Sequence, residues 1–413
     1  MLGLEATHLD AALCSWTKAG IPKTRSLNKM GVIESMTTSH ITKDALYDAV
    51  APTDFAALLE IDRHTSRSTA FDKIISATHD HFWDPTDKRY IDFDEPFDME
   101  NQALLPDHMV PALETPYVQE FFKDKPKELI RFKNEMARWQ LSAILHGEQG
   151  ALNLSASLCH VLRDAGAQEY AANQAREEAR HVAAFAAYIK ARWGSPLPCG
   201  EVLKTLLVDI VHAPEVYKKI VGMQMLIEGL AMGAFAMIYK EWNDPLARKL
   251  TQLVMTDEAF HHKFGKIWAD RTIPKLDAAE HAIVEDWAAH CFQTLLFNLV
   301  APHQMRAIYD EFGLDPDIIM VQFQEMVTDE GRRERMKEAT NIFRVLVKTL
   351  WNANIITDRT KAFYAMYVDF AEFEAEGEHM VGDDIAEDGI LFLQAVNFGV
   401  NTDALKQVKI AAE

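Results

Sequence analysis

The sequence has few cysteines, and their spacing fits neither a metal site nor a redox pair. The four thiols belong to Cys14, Cys159, Cys199 and Cys291. This scarcity predicts a reduced protein with a cytoplasmic location. The sequence also lacks a Walker phosphate loop and a strand-linked Gly-x-Gly-x-x-Gly. Their absence disfavours nucleotide and flavin binding.

Positive charge and long apolar runs are scarce as well. The net charge of −20 argues against general nucleic-acid binding. No uninterrupted run of eighteen apolar residues occurs, so we expect no transmembrane span. The first residues mix charges with a short apolar patch and lack the layout of a secretory signal. We interpret residues 1–35 as a flexible leader or as an extension before a later start at Met30 or Met36.

Two segments of the sequence repeat one set of residues at one spacing. In each, a glutamate is followed thirty residues later by a second glutamate and, three residues further, by a histidine. Glu and His three residues apart project from one face of a helix and can hold one metal ion together. A lone Glu from each of two helices, plus Glu-x-x-His from each of two others, is the ligand set of a carboxylate-bridged two-metal site. The predicted ligands are Glu148, Glu178, His181, Glu228, Glu258 and His261.

A turn signal lies near the midpoint of each repeat, at residues 163–166 (Arg-Asp-Ala-Gly) and 243–245 (Asn-Asp-Pro). Each repeat should therefore fold as a helical hairpin whose arms match in length, which returns the paired ligands to the same height. The alternative is that these residues are surface carboxylates on long helices. Their apolar surroundings argue against it, because Glu148 lies within the run 141–152 and Glu228 within the run 223–235. Burying such carboxylates is unfavourable unless they bind a metal or a partner.

Helical periodicity dominates the sequence and strand-like alternation is nearly absent, which predicts an all-α protein. After the leader we expect N-terminal helices and an irregular segment (36–126), metal-binding helices (127–271), additional packing helices (272–375) and an acidic tail (376–413). The metal-binding helices should span about 127–163, 167–193, 215–242 and 245–271, with a crossover helix near 201–212. The packing helices are expected at 276–311, 315–328, 329–355 and 358–375. The tail is interpreted as loosely attached or as a partner-docking element.

The ligand segments resemble those of the ferritin-like di-iron carboxylate superfamily, on its oxygenase, acyl-carrier-protein desaturase and ribonucleotide reductase small-subunit branch. They read Gly-Glu at 147–148, Glu-Glu-Ala-Arg-His at 177–181 and Thr-Asp-Glu-Ala-Phe-His at 256–261. The first and last are similar to segments of bacterial multicomponent monooxygenases, and the middle one to soluble desaturases. The resemblance covers about residues 127–271. It implies a ferritin-like four-helix bundle with one long crossover, to which N- and C-terminal helices are added.

The resemblance also implies a cofactor of two iron ions, with manganese and iron together as the alternative, and dioxygen as co-substrate. Glu178 and Glu258 would bridge the ions. Carboxylates and imidazole suit iron as ligands. Glu177 and Asp257 each precede a bridging glutamate, at the position that receives the ring N–H of a ligand histidine in the family. Such carboxylates orient the imidazole and raise its basicity.

The chain departs from the family pattern at several positions. Phe185 occupies the place of the radical tyrosine of many reductase subunits, which disfavours a stored tyrosyl radical there. Ala231 and Met232 occupy the positions where oxygenases and desaturases carry a threonine. Val254 stands where an N-oxygenase would carry a third histidine ligand. His262 points some 100° away from its neighbouring ligand and is interpreted as a supporting or packing residue.

Small and apolar residues cluster in sequence beside the ligands and suggest a pocket for an apolar alkyl or aryl substrate, with ordinary core packing as the alternative. The predicted pocket residues are Ala151, Leu152, Phe185, Gly229, Ala231, Met232 and Phe235. Residues 121–133 form a basic island on an acidic protein. This island could receive an acyl or peptidyl carrier protein or an electron donor such as a ferredoxin or reductase, or it is simply a solvated helix start.

Three functions are compatible with these features. The first is an oxygen-activating non-haem di-iron oxidoreductase that hydroxylates, desaturates or otherwise oxidises an apolar substrate. The second is a radical protein like the reductase small subunit, which the lack of Tyr and Trp in residues 401–413 disfavours. The third is iron storage, but storage proteins are much shorter and form cages. We favour the first function and leave open whether the protein is a homodimer.

Overall fold

The structure, a computed structural model, describes residues 44–79, 81–300, 302–326, 342–376 and 382–399. Within these ranges the regular secondary structure is helical, and the paired extended backbone is one isolated bridge between Ala49 and Leu162. The prediction of an all-α protein is confirmed. The predicted leader, residues 1–35, lies outside the described part of the chain.

Short helices precede the long ones, within the region 36–126 where N-terminal helices and an irregular segment were expected. They are α1 (Asp44–Tyr47), α2 (Ile61–Thr65), α3 (Asp72–Ala77) and α4 (Pro116–Phe122), with 3-10 turns at Phe55–Leu59, Asp107–Met109 and Pro111–Glu114. The segment between α3 and α4 is otherwise irregular. It is nevertheless part of the core, because Trp83, Leu104 and Leu105 are fully buried.

Long helical segments carry the predicted ligands. The helices of this region are α5 (Pro126–Val161), α6 (Ala165–Trp193), α7 (Glu201–His212), α8 (Val216–Lys219), α9 (Glu228–Glu241) and α10 (Pro245–Thr272). Local sequence sets their ends. Asp164 and Asp244 cap α6 and α10 by accepting backbone N–H groups of the first turn, and Pro245 occupies the first turn of α10, where its missing N–H is harmless. Gly194 ends α6 with a φ of +83°.

These helices pair as two hairpins. Helix α5 packs along α6, and α9 packs along α10. The connections within the hairpins are short and fall at the two predicted turn signals. Helix α7 lies on the chain between the hairpins, where a crossover helix was expected, and it packs against α5. The hairpins contact each other through α6 and α10, which carry the two Glu-x-x-His motifs.

The periodicity predicted one continuous helix over 215–242 for the third ligand-bearing segment. The structure instead shows a segment that is not a uniform α-helix. A π-helix, Ile220–Ile227, lies between α8 and α9 and ends directly before Glu228. All eight of its residues are buried. Because a π turn holds more residues than an α turn, it rotates the following side chains relative to an ideal α-helix. π turns are frequent at functional sites. The position of this one, directly before Glu228, is consistent with a functional role of that residue.

Further helices cover the region after α10. They are α11 (Ala278–Val300), α12 (Arg306–Phe312), α13 (Pro316–Met326), α14 (Ile342–Asn352), α15 (Asp358–Tyr364) and α16 (Phe370–Glu376). The helix expected over 276–311 is divided, with a 3-10 turn at Pro302–Met305 before α12. The helix expected over 358–375 is likewise two helices. Of the helix expected over 329–355, the described part is α14.

The interpretation of residues 376–413 as a loosely attached tail is wrong for residues 383–398. These form helix α17 (Asp383–Phe398), which packs against α10. A Cβ atom on Gly389 would lie 2.6 Å from Thr256 Cγ2, so the two helices are in close contact there. The acidic composition concealed an amphipathic pattern, in which Ile385, Ala386 and Leu393 are buried while the acidic side chains of the middle turn are exposed. Residues 400–413 lie outside the described part.

One helical stretch, Val216–Glu241, is long and apolar enough to cross a membrane by length and composition. Within the fold, 78% of its apolar window is buried. A core helix that is apolar on all sides passes the same test as a membrane span. The expectation that the protein has no membrane span therefore stays a prediction.

Candidate metal centre

Helices α6 and α10 bring two glutamates and two imidazoles together. Each helix presents a Glu and a His at i and i+3, and the imidazole ring centroids lie 5.8 Å apart. His181 Nδ1 lies 3.4 Å from Glu178 Oε2 and 3.1 Å from Glu258 Oε1. His261 Nδ1 lies 3.1 Å from Glu178 Oε1 and 3.2 Å from Glu258 Oε2. Both carboxylates therefore lie between the two imidazoles.

Helices α5 and α9 each add one carboxylate at opposite ends of this arrangement. Glu148 Oε2 lies 3.3 Å from His181 Nδ1. Two groups of possible metal ligands result, each with its ligand atoms within 4.8 Å of one another. The first group contains Glu148, and the second contains Glu228. Glu178 and Glu258 belong to both groups, which is the relation expected of bridging ligands. We call the six side chains together the carboxylate–imidazole cluster.

The cluster is sealed from solvent. Its most accessible member, Glu148, is 5% exposed, and Glu178, His181, Glu258 and His261 are fully buried. Four carboxyl groups in so small a volume cannot all be charged without positive charge nearby. The cluster must therefore hold either several protons or a metal cation.

The pKa values show where protons are held without a metal. Burial raises the pKa of Glu148 and of Glu228 well above the ordinary range, and the charge of Glu258 raises both further. Burial also opposes ionisation of Glu178 and Glu258, but the imidazoles of His261 and His181 together outweigh it and lower the pKa of both. The two protonated carboxyls, Glu148 and Glu228, are those that belong to only one of the two ligand groups. Metal binding would have to displace those protons.

Burial alone would lower the pKa of both imidazoles. The surrounding carboxylates outweigh it, and the pKa of His181 and of His261 is raised well above the ordinary value. Both rings therefore act as cations when the site holds only protons. A metal ion would take over that role, since imidazole binds metals in its neutral form.

Two oxygen atoms of the shared glutamates lack a well-aligned hydrogen bond. Glu178 Oε2 and Glu258 Oε1 are buried and accept no hydrogen bond in the described part of the chain, although His181 Nδ1 lies 3.4 Å and 3.1 Å from them. A buried carboxylate oxygen in a poorly aligned ion pair is incompletely satisfied, and a metal cation would satisfy it better. Oxygen and imidazole donors in this number suit a transition-metal ion such as iron or manganese. The donor atoms of the cluster therefore suit a metal ion.

The outward nitrogens of both imidazoles meet carboxylates. His181 Nε2 lies 2.8 Å from Asp257 Oδ2, and His261 Nε2 lies 2.9 Å from Glu177 Oε2. With Nε2–H donating outward, Nδ1 of each ring is free to face the cluster. Asp257 and Glu177 each lie on the hairpin opposite to the imidazole that they contact. Each hairpin therefore orients the imidazole of the other.

Asp257 is the centre of a larger buried network. Arg180 donates to both of its carboxylate oxygens at 3.1 and 2.5 Å, and Trp83 Nε1 donates to Oδ2 at 2.9 Å. His81 Nε2 lies 3.4 Å from Oδ1. Burial would raise the pKa of Asp257, but Arg180 and the histidines hold it well below the ordinary range. Asp257 is therefore a fixed negative charge behind His181.

Sequence reasoning missed several residues around the cluster. Gln174 Nε2 donates to Glu178 Oε1 at 3.0 Å and to Glu228 Oε1 at 3.2 Å. A detectable signal existed for Gln174, which lies four residues before Glu178 on the same helical face. Tyr170 is fully buried near the cluster, and its hydroxyl has no hydrogen-bond partner in the described part. Trp83 belongs to the irregular segment, and nothing in the sequence of that segment predicts that it lies near the cluster.

The predicted pocket residues are distributed differently from the expectation. Phe185 and Phe235 stack on each other with centroids 5.6 Å apart, and both are fully buried, as is expected of core packing. Gly229 contacts α14, since a Cβ there would lie 3.3 Å from Thr349 Oγ1. Met232 lines a cavity of about 130 Å³ between α9, α10 and α14. The remaining predicted residues, Ala151, Leu152 and Ala231, range from buried to half-buried.

His262 faces away from the cluster, as the helical rotation predicts, and lines the same cavity as Met232. Burial lowers the pKa of His262 to about 4. Its Nδ1 atom is buried and lacks a hydrogen-bond partner in the described ranges.

Comparison of the chain with protein-family models, with curated proteins and with solved structures finds no match. The family resemblance of the ligand segments therefore stays a prediction. What the structure itself establishes is a mostly helical protein with a buried group of glutamates and histidines that could hold a metal ion.

Proposed function

We propose that this protein is an oxygen-activating non-haem di-iron oxidoreductase of the ferritin-like type. It would hydroxylate, desaturate or otherwise oxidise an apolar alkyl or aryl substrate. The observation that carries the proposal is the pair of ligand groups that share Glu178 and Glu258. Two ions held 3–4 Å apart by shared carboxylates are a recurring arrangement in metalloenzymes of this architecture.

The roles of the protein groups follow from their positions. His181 and Glu148 would hold one ion, and His261 and Glu228 the other, with the shared glutamates between them. Bound iron would supply the redox chemistry that activates dioxygen. Asp257 Oδ2 accepts a hydrogen bond from Nε2–H of His181 and fixes the ring, and Glu177 Oε2 does so for His261.

Burial of the cluster also has a chemical consequence. The stacked rings of Phe185 and Phe235 belong to the apolar core that borders α6 and α9 and excludes water there. Exclusion of water protects a reactive oxidant from reduction by solvent-borne species and strengthens electrostatic interactions inside the site. A buried, apolar setting of this kind suits redox chemistry that water would disturb.

Electrons must reach this buried site from a donor such as a ferredoxin or a reductase. Trp83 offers an oxidisable indole that is hydrogen-bonded to Asp257, which in turn accepts from His181. The neighbouring Phe82 is 37% exposed, so this chain of contacts begins near the surface. The free thiols of Cys159, Cys199 and Cys291 accord with a reduced, cytoplasmic setting.

The same contacts favour a second candidate, a radical protein like the ribonucleotide reductase small subunit, with two iron ions or manganese and iron. An indole linked by hydrogen bonds to a metal ligand can pass a single electron to or from the centre. Electron paramagnetic resonance after exposure of the reduced protein to dioxygen separates the two functions. A persistent organic radical that Trp83→Phe abolishes supports the radical protein. Substrate-dependent dioxygen uptake without such a signal supports the oxygenase.

The first test is metal content and dioxygen uptake. We expect about two iron ions per chain in the reconstituted protein. With a chemical reductant and a panel of alkyl and aryl substrates, it should consume dioxygen and give oxidised products visible by mass spectrometry. Glu178→Ala and Glu258→Ala should each remove most of the metal, whereas Glu128→Ala, at an exposed glutamate of α5, should not. Retention of both ions by Glu178→Ala would refute the proposal.

A further inference from the structure

The cavity lined by Met232 is a separate space behind the carboxylate–imidazole cluster. Its other walls come from α10, through Ala259 and His262, and from α14, through Thr349. Ala259 and His262 each follow a proposed metal ligand by one residue. Since consecutive helical residues point about 100° apart, the same turns of α10 build the cluster on one face and this cavity on another.

Two residues of the cavity wall, Thr349 and His262, carry buried polar atoms that lack partners. Thr349 is 3% exposed, and its Oγ1 has no hydrogen-bond partner in the described part of the chain. The same is true of the buried Nδ1 atom of His262. Buried polar atoms are nearly always paired in folded proteins, with protein groups, water or a ligand. A hydroxyl can donate and accept, so a ligand with one polar group can satisfy both atoms.

The remaining wall residues are half apolar and half polar. Met225, Met232, Ala259 and Ala353 line the volume of about 130 Å³ together with Asn352, Lys263, Lys266 and Asp383. A cavity of about 150 Å³ holds a benzene molecule, so this one fits a body of roughly six carbon atoms. Methionine side chains adapt to aliphatic shapes, and the wall contains no phenyl, phenol or indole ring on which an aromatic ligand could stack.

Charge at the cavity is balanced. Lys263 and Asp383 both line it and have opposite charges. Lys266, the other lysine of the wall, is bonded to Asp270 on its own helix at 2.7 Å. A charged ligand would gain little net attraction from such a rim. The cavity therefore suits a neutral ligand.

We propose that this cavity binds a small neutral molecule with an aliphatic body of about six carbon atoms and one hydrogen-bonding end, such as an alcohol. The polar end lies between Thr349 Oγ1 and His262 Nδ1, and the body lies against Met225 and Met232. Ligand binding in the cavity requires the fold but not the redox chemistry of the metal centre. A failure of ligand binding can therefore be told apart from a failure of the proposed oxidoreductase function.

The test uses cyclohexanol as the probe and ligand-observed saturation-transfer nuclear magnetic resonance on the full-length, metal-loaded protein. We expect saturable binding in the millimolar range, as is typical of a ligand of this size. Thr349→Val keeps the shape and removes the hydroxyl, and should weaken binding about tenfold. The matched control is Thr115→Val, at a fully buried threonine outside the cavity wall whose Oγ1 donates to Ala112 O. The control should bind cyclohexanol like the parent protein.

Further measurements guard against a variant that fails to fold. In the unmodified protein, cyclohexanol should shift the ¹³C-methyl resonance of Met232 but not that of Met136, which lies in α5. Ala353→Leu should fill the cavity and abolish the shift. Cyclohexanecarboxylate and cyclohexylammonium should bind more weakly than the alcohol. Absence of saturable binding, an unmoved Met232 signal, equal affinity in Thr349→Val, or tighter binding of either ion would overturn the proposal. Equal binding to Glu178→Ala would show that it stands without the metal centre.

Discussion

The α5–α6 hairpin and the α9–α10 hairpin carry the same ligand spacing, yet the two imidazoles are supported differently. Behind His181 stands Asp257, which accepts from Arg180 and Trp83 as well as from the imidazole. Behind His261 stands Glu177, whose Oε1 atom also lies 3.8 Å from Nη2 of Arg180. Asp257 thus accepts hydrogen bonds from three side chains, whereas Glu177 has one close partner, His261, and one distant partner, Arg180.

The hairpins also differ in backbone. The π-helix Ile220–Ile227 precedes Glu228, whereas Glu148 lies within the continuous α-helix Pro126–Val161. Identical ligand spacing in the sequence therefore does not make the two halves equivalent. If the cluster holds two metals, we expect the ion at His181 to be bound more rigidly than the ion at His261, because its support is more extensive.

The largest expected effect is on stability. Asp257→Ala should lower the free energy of unfolding by about 3–5 kcal/mol, because it leaves the largely buried Arg180 guanidinium without its nearest carboxylate. Glu177→Ala should lower it by only about 1–3 kcal/mol, because it removes mainly the partner of His261. Urea unfolding of both metal-free variants measures the difference. Equal losses would show that the halves are supported alike.

The second prediction concerns pH in the chelated, metal-free protein. The pKa of His181 and of His261 is raised in the folded state, so the folded protein binds more protons than the unfolded chain above pH about 6.5. The contribution of the two imidazoles to stability is fully present below that pH and should fall as pH rises, by about 1.4 kcal/mol per pH unit for each imidazole.

Denaturation midpoints measured across this range test the prediction. The raised pKa values of Glu148 and Glu228 add to the slope in the same direction, so His181→Gln and His261→Gln should each reduce the slope without abolishing it. An unequal reduction would quantify the asymmetry. Stability that rises with pH in the metal-free protein would contradict the assigned protonation.

The third prediction concerns metal affinity. Asp257→Asn and Glu177→Gln each keep the shape of the side chain and remove the negative charge behind one imidazole. Such changes weaken metal binding by roughly 10–100-fold. We expect the larger loss in Asp257→Asn, confined to one of two ions. Competition with a chromophoric chelator gives the affinities, and an equal loss of both ions in either variant would argue against separate half-sites.

The smallest effect is expected at Gln174, which joins the hairpins by donating to Glu178 and Glu228. Gln174→Leu should destabilise the metal-free protein by about 1–2 kcal/mol. Gln149→Leu on the exposed face of α5, where the amide contacts Asn153, serves as the matched control and should change stability little. A loss at Gln174 no larger than the control would mean that this bridge is dispensable.

Much of the helical framework could be predicted from local sequence. The hairpin turns follow from Asp164 and Asp244, which cap the helices that begin there. The proximity of the six predicted ligands follows from matched arm lengths and the i, i+3 rule. These features depend on residues close together in the chain.

Other features depend on distant residues. Trp83 approaches Asp257 across 174 positions of sequence, from a segment without helical periodicity. The docking of α17 was concealed because its exposed acidic residues dominate the composition, although Ile385 and Leu393 form a buried stripe. The π-helix was missed because Ile220–Ile227 is apolar except for Gln224, so its hydrophobic pattern does not show how the side chains are rotated about the helix axis.

By itself, the sequence determined that the protein is helical and which six side chains could share a metal site, because helical geometry converts spacing into direction. Tertiary structure alone decided which glutamates lie between both imidazoles, which carboxylate stands behind each ring, and where a cavity remains beside α14. Those outcomes arise from packing between segments that are remote in the chain, and local spacing carries no information about that packing.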